Sequence, residues 1–440
     1  MGQRARILAE ILRFRGWIVQ EAFFEDSSGA RVAVTSLSAS SAQRLVLVLK
    51  RRWMPRCGTC TSRCDVLHER LLPRRWADLP WGPYPVQLQY SPARVKCRHC
   101  RGAPVELVAW ADPRQRQTRR LQQQLAVLAS SMPVTHVAAM HRLTWGTVRR
   151  AEQRALQRWD ATRTPRPLRH VGVDEKFLGR RNRLAQKFVT IVSNLDTGEP
   201  VWIGYGRTAD VLRSWIDSLS EQQKSQIQLF AMDMWPPFEA AVRDVPGLEH
   251  VAIVHDPFHV MKRAILALEE LRKDVFFRAS PELRRIGGGH GRRWLLLRAW
   301  ERTSAPQRAE LRRLFSYNAT LARGYQLKEE LRAVLAAPSA AAMKVGLDRI
   351  LRRTQRRDVP ALRRLHQTLR KNYDQILALG EHRPRTGRIE ALNNNWEALV
   401  RRGRGYRDHR YLVLKLRFAT ANPIRGRTGL SRFLALAEAA

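Results

Sequence analysis

The sequence predicts a multidomain α/β protein with a large α-helical insertion, and three observations support this fold class. Strand-like apolar segments alternate with amphipathic helical segments over residues 171–254, which is typical of a sheet covered by helices. Residues 262–380 have helical periodicity without a strand signal longer than a few residues. Two Cys-x2-Cys pairs precede both regions, so we expect a small separate module near the start of the chain.

The chain carries a large positive charge. It has 79 lysines and arginines against 39 aspartates and glutamates, which gives a net charge of +40. Arginine is dense in residues 1–120, 262–320 and 350–415, so the excess is not confined to one tail. Because such an excess repels itself unless a polyanion neutralises it, we predict nucleic acid as the partner, with an acidic membrane as the alternative.

The sequence also lacks the signals of a membrane or exported protein. No apolar run approaches the roughly 18–20 residues that a membrane span needs. The first residues do not open the apolar stretch of a signal peptide. We therefore expect a cytoplasmic protein that has no membrane partner.

Five cysteines lie between residues 57 and 100, and none follows. An odd, clustered set fits metal binding better than disulfides. The two Cys-x2-Cys pairs, Cys57 with Cys60 and Cys97 with Cys100, can offer four thiolates to one tetrahedral Zn²⁺ in a zinc-binding module. The gap between the pairs is 36 residues (61–96), longer than the roughly 15–20 of common zinc ribbons. The alternatives for one ligand are Cys64, His68 and His99.

Residues 115–160 predict a helix-turn-helix. Pro133 begins a short helix, and Thr144 is a suitable N-cap for a long basic helix that reaches Trp159. In a helix-turn-helix the second helix enters the major groove of DNA. Arg142 stands in the turn where glycine is common, so a plain helical hairpin is the alternative. The predicted DNA-contacting residues of the second helix are Thr144, Trp145, Thr147, Arg149 and Arg150.

The region after a linker at 164–167 predicts a sheet. Strand-like segments occupy 171–174, 186–195, 200–205, 227–232 and 251–254, and helical segments occupy 209–219 and 237–243. The order β-β-β-α-β-α-β is that of the RNase H-like fold. Because the first and fourth strands lie side by side in this order, residues that end them are expected to meet.

An acidic residue ends each of those two strands. Asp174 follows the first, and Asp233 follows the fourth. A charge at the end of an apolar strand is costly unless a cation joins it. Phosphoryl transfer between DNA strands uses two metal ions about 3.5–4 Å apart, held by clustered carboxylates. The pair therefore predicts a site for two Mg²⁺ or Mn²⁺ ions, and two ordinary loop acids are the alternative.

A third carboxylate is expected from a helix beside the sheet. Ile389, Leu392 and Trp396 fall on one helical face, and Glu390 borders it. Glu397 is the alternative third ligand.

Asp256 and His259 lie three residues apart at a helix start that follows the fifth strand. One interpretation is an N-cap aspartate with a packed histidine. The other is support of the metal site or a DNA contact, and the residues alone leave both open.

Taken in order, these segments resemble the insertion-sequence transposases of the ISL3 type, over nearly the whole chain. Beside the cysteine and helix-turn-helix modules, the matching pieces are Val-Asp-Glu at 173–175, Asp-Met at 233–234, Asp-Pro-Phe-His at 256–259, Arg-Ile-Glu-Ala-Leu-Asn at 388–393 and a basic Gly-Tyr stretch at 401–407. The resemblance implies a DDE transposase with Asp174, Asp233 and Glu390 as its triad. It also implies that the zinc ligands are the two cysteine pairs. Arg401 and Arg402 of the basic stretch are expected to contact phosphates.

The resemblance further implies cleavage and strand transfer at the ends of an insertion sequence. The expected partners are double-stranded DNA, terminal inverted repeats, target DNA and further copies of the chain in a homo-oligomer. The predicted domains are a zinc module at 1–110, the helix-turn-helix at 111–163, the first part of the catalytic domain at 164–262, the helical insertion at 263–380, and the end of the catalytic domain with a basic tail at 381–440. The alternative functions are a zinc-finger and helix-turn-helix regulator, an inactive transposase remnant, and an RNase H-fold nuclease.

Overall fold

The computed structural model divides the chain into two compact units. Unit 1 comprises residues up to Thr164 together with Glu397–Ala440, and unit 2 comprises Pro165–Trp396. Among the described residues, none of the helices combines the length and the apolar character required to cross a bilayer. The structure describes residues 14, 16–32, 44–64, 66–164, 166–178, 187–278, 281–288, 291–355, 358–403, 406 and 408–436.

Both units contain α-helices. In chain order they are α1 Arg119–Ser131, α2 Val134–Met140, α3 Trp145–Ala161, α4 Ala209–Asp217, α5 Glu221–Gln226, α6 Pro236–Arg243, α7 Pro257–Phe276, α8 Pro281–Gly287, α9 Arg292–Leu297, α10 Ala305–Ser316, α11 Ala319–Leu335, α12 Ala340–Thr354, α13 Pro360–Lys371, α14 Tyr373–His382, α15 Gly387–Gly403, α16 His409–Ala421 and α17 Gly426–Ala435. Helix α15 begins in unit 2 and ends in unit 1.

Unit 1 starts with two sheets. Its strands are β1 Trp17–Glu25, β2 Arg31–Val32, β3 Arg44–Arg51, β4 Val66–Arg70, β5 Arg74–Trp81, β6 Tyr84–Tyr90 and β7 Ala93–Lys96. Five of them form one sheet in the order β2-β1-β3-β6-β5, while β4 pairs with β7. Short alternating apolar segments of the sequence also predict strands at 31–34 and 45–48. The second is confirmed within β3. Of the first, β2 covers 31–32, and 33–34 lie outside the described residues.

The helix, turn and helix predicted for residues 133–159 are present as α2 and α3. The predicted cap is confirmed, because the Thr144 side chain accepts a hydrogen bond from the Thr147 backbone N–H at 3.2 Å. Arg142 in the turn has φ 51°, which is the left-handed conformation that glycine adopts most easily. The turn geometry is thus reached with arginine in the position where glycine is common.

A buried polar cluster joins α3 to α16 in unit 1. The side chains of Glu152 and Lys415 are 1% and 3% exposed, and they form an ion pair. Tyr411 donates its hydroxyl to the same carboxylate, and Lys415 also donates to the Ala129 carbonyl at 3.2 Å. Burial lowers the pKa of Lys415, and the Glu152 carboxylate opposes that effect. The Glu152 carboxylate is therefore the partner that compensates the buried ammonium group of Lys415 and accepts a hydrogen bond from the buried hydroxyl of Tyr411.

Substituting Glu152→Gln is expected to destabilise unit 1 by about 3–5 kcal/mol, because removal of one partner leaves a buried charge unpaired. Asp160→Asn is the matched control, since Asp160 joins the same two helices through Arg417 at 2.9 Å but both side chains are more than 20% exposed. A partly exposed pair contributes about 0–1 kcal/mol. The free energy of the first unfolding transition in urea measures both losses. Equal losses would contradict the cluster's proposed importance.

Unit 2 contains the predicted sheet, with strands β8 His170–Phe177, β9 Phe188–Asn194, β10 Glu199–Tyr205, β11 Leu229–Met232 and β12 Ala252–His255. The order is β10-β9-β8-β11-β12, and β8, β11 and β12 run parallel. The predicted contact between the first and fourth strands is confirmed by the pairing of β8 with β11.

Two details of this region differ from the prediction. Strand β8 does not end at Asp174 but continues to Phe177, because β9 supplies pairing partners as far as Phe188. On its other side, the pairing of β8 with β11 stops at Val173. The short helix α5 was not predicted, since six residues are too few for a periodic pattern; a capping box between Ser220 and Gln223 begins it.

Residues 263–380 contain helices and no strand among those that the structure describes, as the sequence predicted. Helices α7 to α14 share one apolar core around Leu268, Leu327 and Leu347. The first half of α15 packs on the sheet instead, where Ile389 joins Leu229 in a separate cluster. Further along the same helix, the Asn393 side chain bonds to Asp174, so α15 also reaches the first of the two aspartates.

Candidate catalytic, zinc and DNA-contact sites

Asp174 and Asp233 lie at the same edge of the sheet in unit 2. Their strands are paired in parallel up to Val173 and Met232, so the two acids are the next residues of neighbouring strands. The ring of His259 lies between them. Its Nδ1 is 3.0 Å from Asp233 Oδ2, and its Nε2 is 3.9 Å from Asp174 Oδ1. The fold therefore brings two carboxylates and one imidazole together.

The electrostatics of this cluster depend on burial and on the histidine. Burial alone would lower the pKa of His259, but the hydrogen bond and negative charge of Asp233 raise it above its usual value. Burial alone would raise the pKa of Asp233, but the bond from His259 lowers it. His259 and Asp233 thus each favour the charged form of the other.

Asp256 places that histidine at the start of α7. Its side chain accepts from the Phe258 backbone N–H at 3.1 Å, so the N-cap interpretation is confirmed. Burial raises the pKa of Asp256. His259 contacts Asp233 and Asp174, while Asp256 fixes the helix start. Support of a metal site by these two residues stays a prediction.

Helix α15 supplies a further contact, but not the predicted one. Asn393 donates from Nδ2 to Asp174 Oδ2 at 2.6 Å. Glu390, three residues earlier, is exposed, and so is the alternative Glu397. Among the described residues, the only three or more potential metal ligands whose atoms all lie within 4.8 Å are four cysteines. The structure thus does not bring Glu390 together with the two aspartates.

Those four cysteines are the two predicted pairs in unit 1. Cys57 Sγ lies 3.8 Å from Cys100 Sγ, and Cys60 Sγ lies 3.6 Å from Cys97 Sγ. A tetrahedral zinc with Zn–S bonds of about 2.3 Å requires sulfur atoms about 3.8 Å apart. The donor set and spacing therefore fit one Zn²⁺.

The two cysteine pairs have similar local geometry. Thr61 and Arg101, each directly after the second cysteine of its pair, have φ 64° and 50°. Cys64 is buried outside the group, and its thiol contacts the Ser62 carbonyl at 3.7 Å. Burial raises the pKa of Cys64 to about 11. The two histidines that the sequence offered as ligands, His68 and His99, are exposed and also lie outside the group.

The predicted DNA contacts are placed unequally in unit 1. Thr144, Trp145 and Arg150 at the start of α3 are exposed, whereas Thr147 is half-buried and bonds to Thr144. Arg149 is half-buried and donates to Asp408 at 2.6 Å. In the predicted phosphate contacts, Arg401 is exposed and Arg402 half-buried, while 404, 405 and 407 of the basic stretch lie outside the described residues.

Comparison with known families is decisive. Residues 171–416 match the DDE model of the ISL3 family, described as a transposase, and residues 106–156 match the helix-turn-helix domain of transposase family ISL3. The chain belongs to the ISL3 family of DDE transposases. It is 30% identical over 369 residues to the transposase for insertion sequence element IS1001 of Bordetella parapertussis, covering 82% of this chain and 88% of that protein. It is 28% identical over 384 residues to the transposase for IS1557 of Mycobacterium tuberculosis, covering 81% and 84%.

Membership in this family explains why the transposase has both a carboxylate site and a DNA-binding region. A DDE transposase uses divalent metal ions, and a helix-turn-helix domain implies DNA binding. Two contacts to Asp174 were missed by the sequence analysis: the amide of Asn393, and Lys176, whose Nζ lies 3.9 Å from Asp174 Oδ2. Lys176 could have been found from its position two residues on, which places it on the same face of the strand.

Proposed function

We propose that this transposase cuts and rejoins DNA at the ends of its insertion sequence, on an RNase H-like core that uses Asp174 and Asp233. The observation that carries the proposal is that each acid directly follows the last paired residue, Val173 or Met232, of two neighbouring parallel strands. The strand order, with the first and fourth strands adjacent, supports the RNase H-like assignment. The proposed domains remain 1–110 for zinc binding, 111–163 for the helix-turn-helix, 164–262 and 381–440 for the catalytic domain, and 263–380 for the helical insertion.

The donor set of this site suits hard divalent ions, since carboxylate oxygens are the ligands that Mg²⁺ and Mn²⁺ prefer. Asp174 and Asp233 would hold two such ions, which neutralise developing charge and activate the attacking oxygen when bound. Glu390 is the proposed third carboxylate. It lies three residues from Asn393, and positions three apart on a helix are neighbours on its surface. The bond from Asn393 to Asp174, about one helical turn along α15 from Glu390, supports this assignment.

The residues around the acids prepare them for this role. Asn393 fixes one oxygen of Asp174 by its hydrogen bond, which orients the carboxylate. Lys176 Nζ lies 3.9 Å from the same Asp174 oxygen, and its positive charge reduces the repulsion between the two acids. His259 lies between the two acids and contacts Asp233 at 3.0 Å, which holds that carboxylate in place.

The deciding experiment is a strand-cleavage assay on duplexes that carry the element's own terminal inverted repeats. We expect cleavage at the repeat ends with Mg²⁺ or Mn²⁺, joining to a target duplex, and no reaction in EDTA. Scrambled repeats are the control. End binding without cleavage in either ion would favour the regulator or remnant, whereas cleavage of scrambled DNA at equal rates would favour a nuclease. Light scattering of the complex on repeat DNA would show whether it is the expected homo-oligomer.

DNA recognition is expected to divide between base contacts and phosphate contacts. Arg150 is exposed at the start of α3, whereas Arg149, which the sequence predicted as a reader of bases, is held by Asp408. Arg150→Ala should therefore weaken binding to repeat DNA more than to scrambled DNA. The double variant Arg401→Ala with Arg402→Ala should weaken both equally and reduce the salt slope by about one per lost phosphate contact.

Binding titrations at several salt concentrations, on both DNAs, measure these effects. Arg149→Ala serves as the comparison within the same helix. If Arg150→Ala lowers both affinities equally, α3 does not read the sequence, and the zinc module becomes the candidate reader.

A further inference from the structure

Unit 1 contains a cavity of about 780 Å³ beside the helix-turn-helix. Its walls come from the link between α1 and α2, the first turns of α3, the last turn of α15 and the start of α16. Pockets of roughly 300–1,000 Å³ enclose small molecules. The volume is therefore sufficient for one nucleotide and far too small for a duplex.

Aromatic side chains form part of the wall. Trp145, Tyr406 and Tyr411 line the cavity, and the rings of the two tyrosines lie 5.9 Å apart. Trp145 is 52% exposed although it is a large apolar side chain. Gly403 permits the position of Tyr406, because a Cβ there would lie 2.5 Å from the ring. Flat aromatic faces beside an open cavity suit a planar ring that stacks on them.

The charge of the wall is positive. Four cationic residues line the cavity against one acid, Asp408. Arg149 binds that acid, and Lys415 is engaged by the buried Glu152, so these two cations are already compensated. Arg401 and Arg402 add charge beyond those pairs. Aromatic faces combined with arginines are the chemistry by which proteins bind unpaired nucleotides, through base stacking and phosphate contacts.

We propose that the cavity takes one unpaired nucleotide of the bound DNA, with its base against Trp145 and Tyr406 and its phosphate on Arg401 and Arg402. The inference rests on the proposed function, since it assigns a nucleotide of the element's end to this place. Trp145 is the first residue of α3, at the end of the helix that is expected to approach the bases. Extruding a base costs stacking and pairing energy, and the cost is smallest where the base is already mismatched.

The test is a binding titration with terminal-repeat duplexes that each contain one mismatch, scanned along the repeat. We expect one mismatch position to bind about 5- to 150-fold more tightly than fully paired DNA, the range given by one base–aromatic stack. An abasic nucleotide at that position should remove the gain. Trp145→Ala should also remove it, and Trp145→Phe should retain it. Trp81→Ala is the matched control, because Trp81 is 51% exposed in the same unit and lies away from the cavity.

Several outcomes would overturn the inference. Equal binding of paired and mismatched duplexes at every position is one, and a gain that persists in the abasic duplex or in Trp145→Ala is another. A loss in Trp145→Ala that is the same on paired and mismatched DNA would identify an ordinary groove contact. The proposed function has its own test. A protein that keeps the mismatch preference but does not cleave repeat DNA would contradict the proposed function and leave this inference standing.

Discussion

Asp174→Asn and Asp233→Asn are each expected to reduce strand cleavage roughly a thousandfold or more, while end binding changes little. Held metal ions contribute several kcal/mol of charge stabilisation, and each 1.4 kcal/mol corresponds to about tenfold in rate. An amide keeps the size of the side chain but removes the negative charge that attracts the ions. Cleavage of labelled repeat DNA and a binding titration on the same preparation measure the two effects.

Asp210→Asn is the matched control for this experiment. Asp210 lies in the same unit, its side chain is 85% exposed, and it pairs with Arg213 on the surface. It should leave cleavage unchanged. If either catalytic variant cleaves at the rate of this control, the proposed site is wrong.

The third carboxylate is tested with Glu390→Gln beside Glu397→Gln. Loss of cleavage in the first variant alone supports Glu390, even though its side chain is exposed in this structure. Loss in the second alone would transfer the role to Glu397. Asn393→Ala should give a smaller loss than Glu390→Gln, because it removes only a hydrogen bond to Asp174.

The second large effect is expected at the cysteine cluster. Purified protein should contain about one zinc per chain, and Cys57→Ser should lose it and unfold the two segments that carry the cysteine pairs, 57–64 and 97–106. Structural zinc contributes roughly 10–16 kcal/mol to the folding of small zinc peptides. Strands β5 and β6, between these segments, belong to the five-stranded sheet and should stay folded. Elemental analysis measures the metal, and hydrogen exchange locates the unfolded segment.

Cys64→Ser is the control within the same cluster. Its thiol is buried nearby but does not belong to the four-sulfur group, so this variant should keep its zinc. Hydrogen bonds from Ser62 lower the pKa of Cys60 to about 6, which favours the thiolate that binds metal near neutral pH. Loss of zinc from Cys64→Ser but not from Cys60→Ser, or a folded protein without zinc, would refute the ligand set.

The sequence predicted the sheet better than the contacts at its edge. Alternation of apolar residues locates strands, and the strand order then places Asp174 beside Asp233. Helical periodicity shows which face of α15 is buried, but not which residue beside that face touches an acid. The structure selects Asn393, one turn from the predicted Glu390.

Contacts between residues that are far apart in the chain could not be predicted from the sequence. Arg149 was predicted to read bases from its place in α3, yet Asp408, 259 residues later, binds its guanidinium. No sequence pattern near residue 149 predicts Asp408 as its partner. Likewise, spacing alone predicts which four cysteines form the two pairs. It does not show that Cys64 lies outside the four-sulfur group, because that depends on a turn that brings its thiol to the Ser62 carbonyl.

The Glu152–Lys415 pair has a consequence for folding while the chain is being synthesised. The carboxylate belongs to the helix-turn-helix, but its buried cation is made 263 residues later. At about 5–20 residues per second, the ribosome needs on the order of 10–50 seconds to cover that interval. During this time α3 lacks the partner that its buried charge requires. Chains truncated before residue 415 would remain in that state, so we expect the DNA-binding unit to become stable only after Lys415 has been synthesised.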